Sequence, residues 1–152
     1  MRTLKKNQQK MYYALFDKEE ENYKLDAEGN PIVDYIDEEG NVYYKTTGGT
    51  HKVFKIPVPF KASISSKLDA IRAKEYGVEQ SSIYSEITVS KGKLPLNFGD
   101  LIWRKSEIEW SKYNSNSPEP TSADYVVRGI LDEFLNFDFY LLERIDKETK
   151  WK

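Results

Sequence analysis

Cysteine is absent from all 152 residues. That excludes disulfide stapling, thiolate nucleophiles and thiolate metal centres, and it suits a reducing cytoplasm. Histidine occurs once, at His51, so a triad or a zinc centre would have to be built around a single imidazole. No apolar run approaches the roughly 18 residues that would span a bilayer, and the basic start is not followed by a signal-peptide core. The expectation is a soluble chain made in the cytoplasm. A surplus of one charge is also missing. The 23 basic and 25 acidic side chains leave −2 at pH 7, unlike the clearly basic balance of a protein that coats nucleic acid. Neither Gly-x-Gly-x-x-Gly nor Gly-x-x-x-x-Gly-Lys-Ser/Thr occurs, so no phosphate-cradling loop is signalled.

Aromatic residues are plentiful. Eleven Tyr and seven Phe suit strands better than helices, and the length fits a single domain, 1–152, able to bury about two-thirds of its unfolded surface. Met11-Tyr-Tyr-Ala-Leu-Phe16 reads as the first strand. A near-repeat follows, Asp26-Ala-Glu-Gly-Asn30 and Asp37-Glu-Glu-Gly-Asn41, between and after which lie strand-like runs at 32–36 and 42–45. Gly-Asn pairs form turns readily, so this region is expected to be an acidic meander whose second turn is 37–41. Gly48-Gly49 marks a flexible joint. The segment 52–64 is extended, with Pro57 and Pro59 placing its first half at an edge or in a connection. Ser65-Ser66 is expected to cap a short helix through Leu68, Ile71 and Tyr76, stopped by Gly77. Strands follow at 82–89 and 101–103, then a solvated loop at 113–122.

The closing segment 124–145 reads as two strands folded back around Leu135-Asn136. In the second, Phe137, Phe139, Leu141 and Ile145 alternate with Asp138, Tyr140, Leu142 and Arg144. The first set is expected to be the buried face. An amphipathic hairpin cannot bury its apolar side alone, so the other strands must close over it. The fold expected is mainly β: a small antiparallel β-barrel with one short helix or long loop between strands, a basic arm at 1–10 and a charged tail at 146–152.

No constellation of residues signals chemistry. His51, next to Gly48-Gly49, reads as an exposed loop histidine. The Asp-x-Glu-Gly-Asn repeats lack the calcium-loop pattern and its flanking helices, and read as acidic turns. With 25 carboxylates, any chosen pair is uninformative for glycosidase chemistry. The expectation is no catalytic, cofactor or metal site. Two features stand out instead. The arm with Arg2, Lys5, Lys6 and Lys10 could bind phosphate or an acidic neighbour. The connection 65–82, with Lys67, Leu68, Asp69, Ile71, Arg72, Lys74, Glu75 and Tyr76, is longer than a hairpin needs and suits an interaction or gating loop.

Several stretches together carry a resemblance. Met1-Arg-Thr-Leu-Lys-Lys-Asn-Gln-Gln-Lys-Met-Tyr-Tyr-Ala-Leu-Phe16 resembles the start of small neck proteins of tailed bacteriophages and prophages, called head-tail joining, head-closure or stopper proteins. Phe60-Lys-Ala-Ser-Ile-Ser65, Tyr84-Ser-Glu-Ile-Thr-Val89, Leu101-Ile-Trp103, Ala123-Asp-Tyr-Val-Val127 and Leu135-Asn136 match in order and approximate spacing. The resemblance implies a β-barrel protomer of a homo-oligomeric ring in the virion. The ring sits between portal or adaptor proteins and the tail, closes the DNA channel and offers the tail a docking surface. It implies no enzymatic activity, no cofactor and no membrane. Double-stranded DNA passes through without sequence-specific binding, and 65–82 matches a loop that projects into the channel. The regions 17–50 and 107–119 are longer than in a minimal member of the family. Two other readings stand beside it. One is an oligonucleotide-barrel module binding single strands, with Tyr84, Trp103 and Tyr140 as stacking platforms; the other is tail completion or termination.

Overall fold

The computed structural model describes residues 8–146. Ten strands form: β1 (Gln8–Ala14), β2 (Phe16–Tyr23), β3 (Val33–Ile36), β4 (Val42–Tyr44), β5 (Thr46–Phe54), β6 (Val58–Ser65), β7 (Tyr84–Ser90), β8 (Leu101–Trp103), β9 (Tyr125–Leu131) and β10 (Phe137–Arg144). Among the described residues one α-helix, α1 (Ala70–Tyr76), joins β6 to β7. Six strands close into an antiparallel barrel in the order β1-β6-β7-β10-β9-β8, with β8 returning to β1. The expected small antiparallel barrel with one short helix is the architecture observed.

Alternation sets the barrel interior. Met11 lies opposite Phe60, and Tyr140 opposite Ile87. With Ala62, Val89, Ile102, Val127 and Leu142 they fill the lumen, and Leu94 and Leu96 from the β7–β8 connection join the same core cluster. Two smaller clusters lie apart from this core: Ala14, Phe54, Leu101, Trp103 and Ala123 in one, and Leu68, Ala73 and Leu141 beneath α1 in the other.

The facing expected for β10 is reversed. Asp138, Tyr140 and Leu142 are the buried inward set, while Phe137 and Phe139 are only half-buried. Leu141 is fully buried too, but under α1. Because β10 carries apolar residues on both faces, a period of two does not say which face is the lumen. The cap of α1 also differs from expectation. Asp69, not Ser65 or Ser66, accepts from the Arg72 amide at 2.7 Å, whereas Ser65 donates its hydroxyl to the Lys67 carbonyl. Gly77 ends the helix in the left-handed conformation at φ 75° as expected, and Ile71 is exposed instead of belonging to an apolar stripe.

The other four strands leave the barrel. β1 runs through Leu15 into β2, and β5 runs into β6. The Lys55 amide donates to the Leu15 carbonyl at 2.8 Å where the ribbon leaves the barrel wall. β2 pairs with β5, and beyond them β3 pairs with β4. The meander is therefore an extension of residues 16–54. Its turn at 37–41 lies where expected: Asp37 Oδ1 accepts from the Glu39 and Asn41 amides at 2.9 and 2.8 Å. Asp26 repeats the pattern with Glu28 and Asn30. Each repeat is thus a turn whose aspartate is occupied by its own backbone, with Gly29 and Gly40 at positive φ. Gly48-Gly49 is not a joint. Both residues lie inside β5, and Gly48, at φ 86°, falls where the β2–β5 register shifts.

Candidate functional site

The residues singled out in 65–82 form a docked helix, not a free loop. Leu68 and Ala73 are buried against Leu141. Arg72 reaches Glu86 on β7 at 3.1 Å and Glu75 at 3.4 Å, with its guanidinium over the Phe134 and Phe139 rings at 5.2 and 4.2 Å. The Tyr76 hydroxyl donates to Glu86 Oε2 at 2.8 Å. Burial pushes the Glu86 carboxyl up, although Tyr76 and Arg72 act to hold it down. Burial, reinforced by the Glu86 charge, pushes the Tyr76 phenol far above its ordinary range. Tyr76 also packs where Gly129 leaves room: a Cβ on Gly129 would lie 2.7 Å from the Tyr76 ring and 3.0 Å from Leu141 Cβ. Lys67, Asp69, Lys74 and Glu75 lie on the exposed side.

Lys10 belongs to β1, opposite Lys61, with its ammonium 5.6 Å from the Tyr12 ring centre, so it is not part of an unpacked arm. Arg2, Lys5, Lys6 and most of the 146–152 tail lie outside the described residues. Of the three residues read as stacking platforms, two are buried and one is half-buried. Trp103 is 1% exposed and donates its indole N–H to Ser122 at 3.0 Å. Tyr140 lines the lumen and donates to the Leu94 carbonyl. Tyr84 packs on the cluster beneath α1.

The extension is tied to the rest of the chain at its root. Phe16 on β2 donates its amide to buried Asp100 at 2.8 Å, and Phe54 on β5 donates to the Ser117 hydroxyl at 3.0 Å. Burial pushes the Asp100 carboxyl up, against the Phe16 and Asn97 amides that hold it down. The loop 113–122 is not simply solvated, because Ser117, Pro118 and Ser122 are fully buried. Its approach is held by Asp124, which takes the Arg104, Lys105 and Ser106 amides at 2.7, 2.9 and 3.0 Å and the Ser106 hydroxyl at 2.7 Å. Burial alone would raise this carboxyl, but these bonds outweigh it and hold it at about 2.

His51 is not an exposed loop residue. Its ring stacks on Tyr113 with centres 4.9 Å apart, Nδ1 lies 2.7 Å from Asn22 Oδ1, and Nε2 lies 3.7 Å from Glu20. Between β5 and the loop, His51, Lys52, Trp110, Lys112, Tyr113 and Glu119 line an open cleft of about 460 Å³. That is within the size range of small-molecule and side-chain pockets. Trp110 stands half-exposed at its wall. The stacking of His51 on Tyr113 joins positions 62 residues apart, and nothing local to either announces it. Among the described residues no group of three or more His, Asp and Glu is placed to hold a metal ion.

The far end of the extension is the opposite of a core. Every residue of β3 and β4 is exposed, including Val33, Tyr35, Ile36, Val42, Tyr43 and Tyr44. Tyr35 and Tyr43 stack on each other at 4.6 Å. Residues 16–54 hold ten carboxylates and four lysines, net −6, whereas the remaining 19 basic and 15 acidic residues sum to +4. Exposed large apolar residues grouped in this way contrast with the single scattered ones of an ordinary surface. Compared with protein-family models, curated proteins and solved structures, the chain matches none of them.

Proposed function

We propose that this chain is a non-enzymatic structural protein of a tailed-phage neck, a ring component between portal complex and tail. The observation that carries this reading is the joining of a closed, filled barrel to an acidic extension whose apolar side chains have no cover among the described residues. A barrel has no free strand edges to pair at random, so it makes a stiff unit of a wall. An uncovered apolar hairpin suits assembly with a neighbour. The sequence resemblance to neck proteins supplies the viral setting and the DNA channel. A chain without net positive charge suits a bore through which DNA slides, because phosphates would be held by a basic one.

In this reading the 65–82 connection faces the channel as a docked helix. To narrow the channel further it would have to give up the Arg72–Glu86 pair and expose Leu68 and Leu141. Purified virions provide the test. The chain should be found at the head–tail junction by gold labelling, and particles made without it should be tailless heads that lose DNA. Virions of full infectivity made in its absence would overturn the reading.

A further inference from the structure

The exposed tip of the extension and the open cleft at its root are complementary. The tip is aromatic, aliphatic and acidic; the cleft is walled by Trp110, Tyr113 and His51, with Lys52 and Lys112 on its lining and Glu119 as its one carboxylate. They cannot meet within one molecule. From His51 the ribbon runs out along β5 to Thr46 and on through β4 and β3. At about 3.3 Å per residue, that puts tip and cleft roughly 15–25 Å apart on a paired ribbon. Two tips do not suit each other either, since residues 31–45 carry four carboxylates against one lysine and like charges oppose contact.

We propose that the tip of one copy, through Tyr35, Ile36, Val42 and Tyr43, seats in the His51–Trp110–Tyr113 cleft of a second copy. The contact joins two different surfaces of the same chain, so it is head-to-tail and propagates from copy to copy. A rotation that closes produces a ring, and one that does not produces a filament. It names the contact within the ring proposed above and rests on that reading for the closure. The aromatic walls supply the buried anchor, and the lysines set register and repel a wrong approach.

The absence of native cysteine makes a single-thiol probe clean. Asp34→Cys places a thiol in β3 beside the tip residues without removing any of them. Labelled with a benzophenone maleimide, mixed with isotope-labelled unmodified chain at high concentration and irradiated, it should form intermolecular links to residues 108–121. Trp110→Ala should weaken self-association at least about tenfold, and Tyr43→Ala similarly, with the double variant little worse than either. Trp110→Phe should restore most of it, which separates loss of contact from loss of fold. Links to another copy's extension, or to barrel strands elsewhere, would overturn this contact while leaving a ring intact. A chain that stays monomeric in concentrated solution would overturn it too, and gold labelling of virions would then decide the neck reading separately.

Discussion

The barrel and the extension are built from the same residue types and treat them in opposite ways. In the barrel, Val89, Ile87 and Tyr140 are buried. In the extension, Val33, Ile36, Tyr43 and Tyr44 stand in water. The difference lies in the number of partners. Each barrel strand has a neighbour on both sides, and the sheet curls until its inner faces meet. Beyond its root the extension is a two-stranded ribbon with two open edges and two open faces, an arrangement only marginally stable by itself. Its registration therefore depends on its root, where Asp100, Ser117 and the Lys55–Leu15 bond tie it to the barrel. Local β-pattern makes a strand; cover makes a core.

The comparison breaks most visibly at Trp103. Trp103→Ala should lower stability by about 3–5 kcal/mol in denaturant unfolding, because it empties the second cluster and removes the indole N–H from Ser122. A loss below about 1 kcal/mol would mean that this cluster does not hold the wall. Next is Gly129→Ala. Its new methyl would collide with Tyr76 and Leu141, costing about 1–3 kcal/mol and lifting α1 off the wall. Faster amide exchange across α1, with the barrel still protected, is the expected signature. Adding Tyr76→Ala should recover part of the loss, and no recovery would assign the strain to the backbone.

A smaller effect is expected from acid. The Asp124 carboxyl lies lower in the folded chain, at about 2, than its ordinary 3.8. Its contribution is thus complete above about pH 3.8, fades as pH falls, and is gone below about 2. After allowance for solvent screening, Asp124→Asn should cost about 1 kcal/mol at neutral pH, with the gap closing toward pH 2. A gap unchanged across that range would show that the charge is not what holds residues 104–106. The smallest effect belongs to the tip. Tyr35→Ala should change monomer stability by no more than about 0.5 kcal/mol. A loss comparable with that at Trp103 would show that the extension shares the barrel's cooperative core.

These contrasts also mark what the chain declares about itself. The β class was legible because apolar and polar residues alternate through β6, β7 and β10, and the 37–41 turn because Asp and Gly sit where an aspartate-capped turn requires them. The stop at Gly77 was legible for the same local reason. The lumen-facing side of β10 was not, since Leu141 needs α1 as a cover and α1 lies more than 60 residues earlier. Gly48-Gly49 looked like a hinge because a strand bulge and a loop both favour glycine. The cleft was least legible of all. His51, Trp110 and Tyr113 are unremarkable in their own neighbourhoods, and only the anchoring of Phe54 by Ser117 sets β5 beside the loop that bears Trp110 and Tyr113. Length drew notice to 17–50 and 107–119, but length does not say what a segment will touch.

The continuity of β1 with β2, and of β5 with β6, has a mechanical consequence. A pull along the ribbon draws β1 and β6 the same way and loads in shear the bonds that hold them to β8 and β7, because those bonds lie perpendicular to the strands and strain together. Three residue pairs of β1 with β8 and three of β6 with β7 share that tension. A sideways push at the tip would instead peel the ribbon open one rung at a time. The extension is a tether along its length and a weak lever across it.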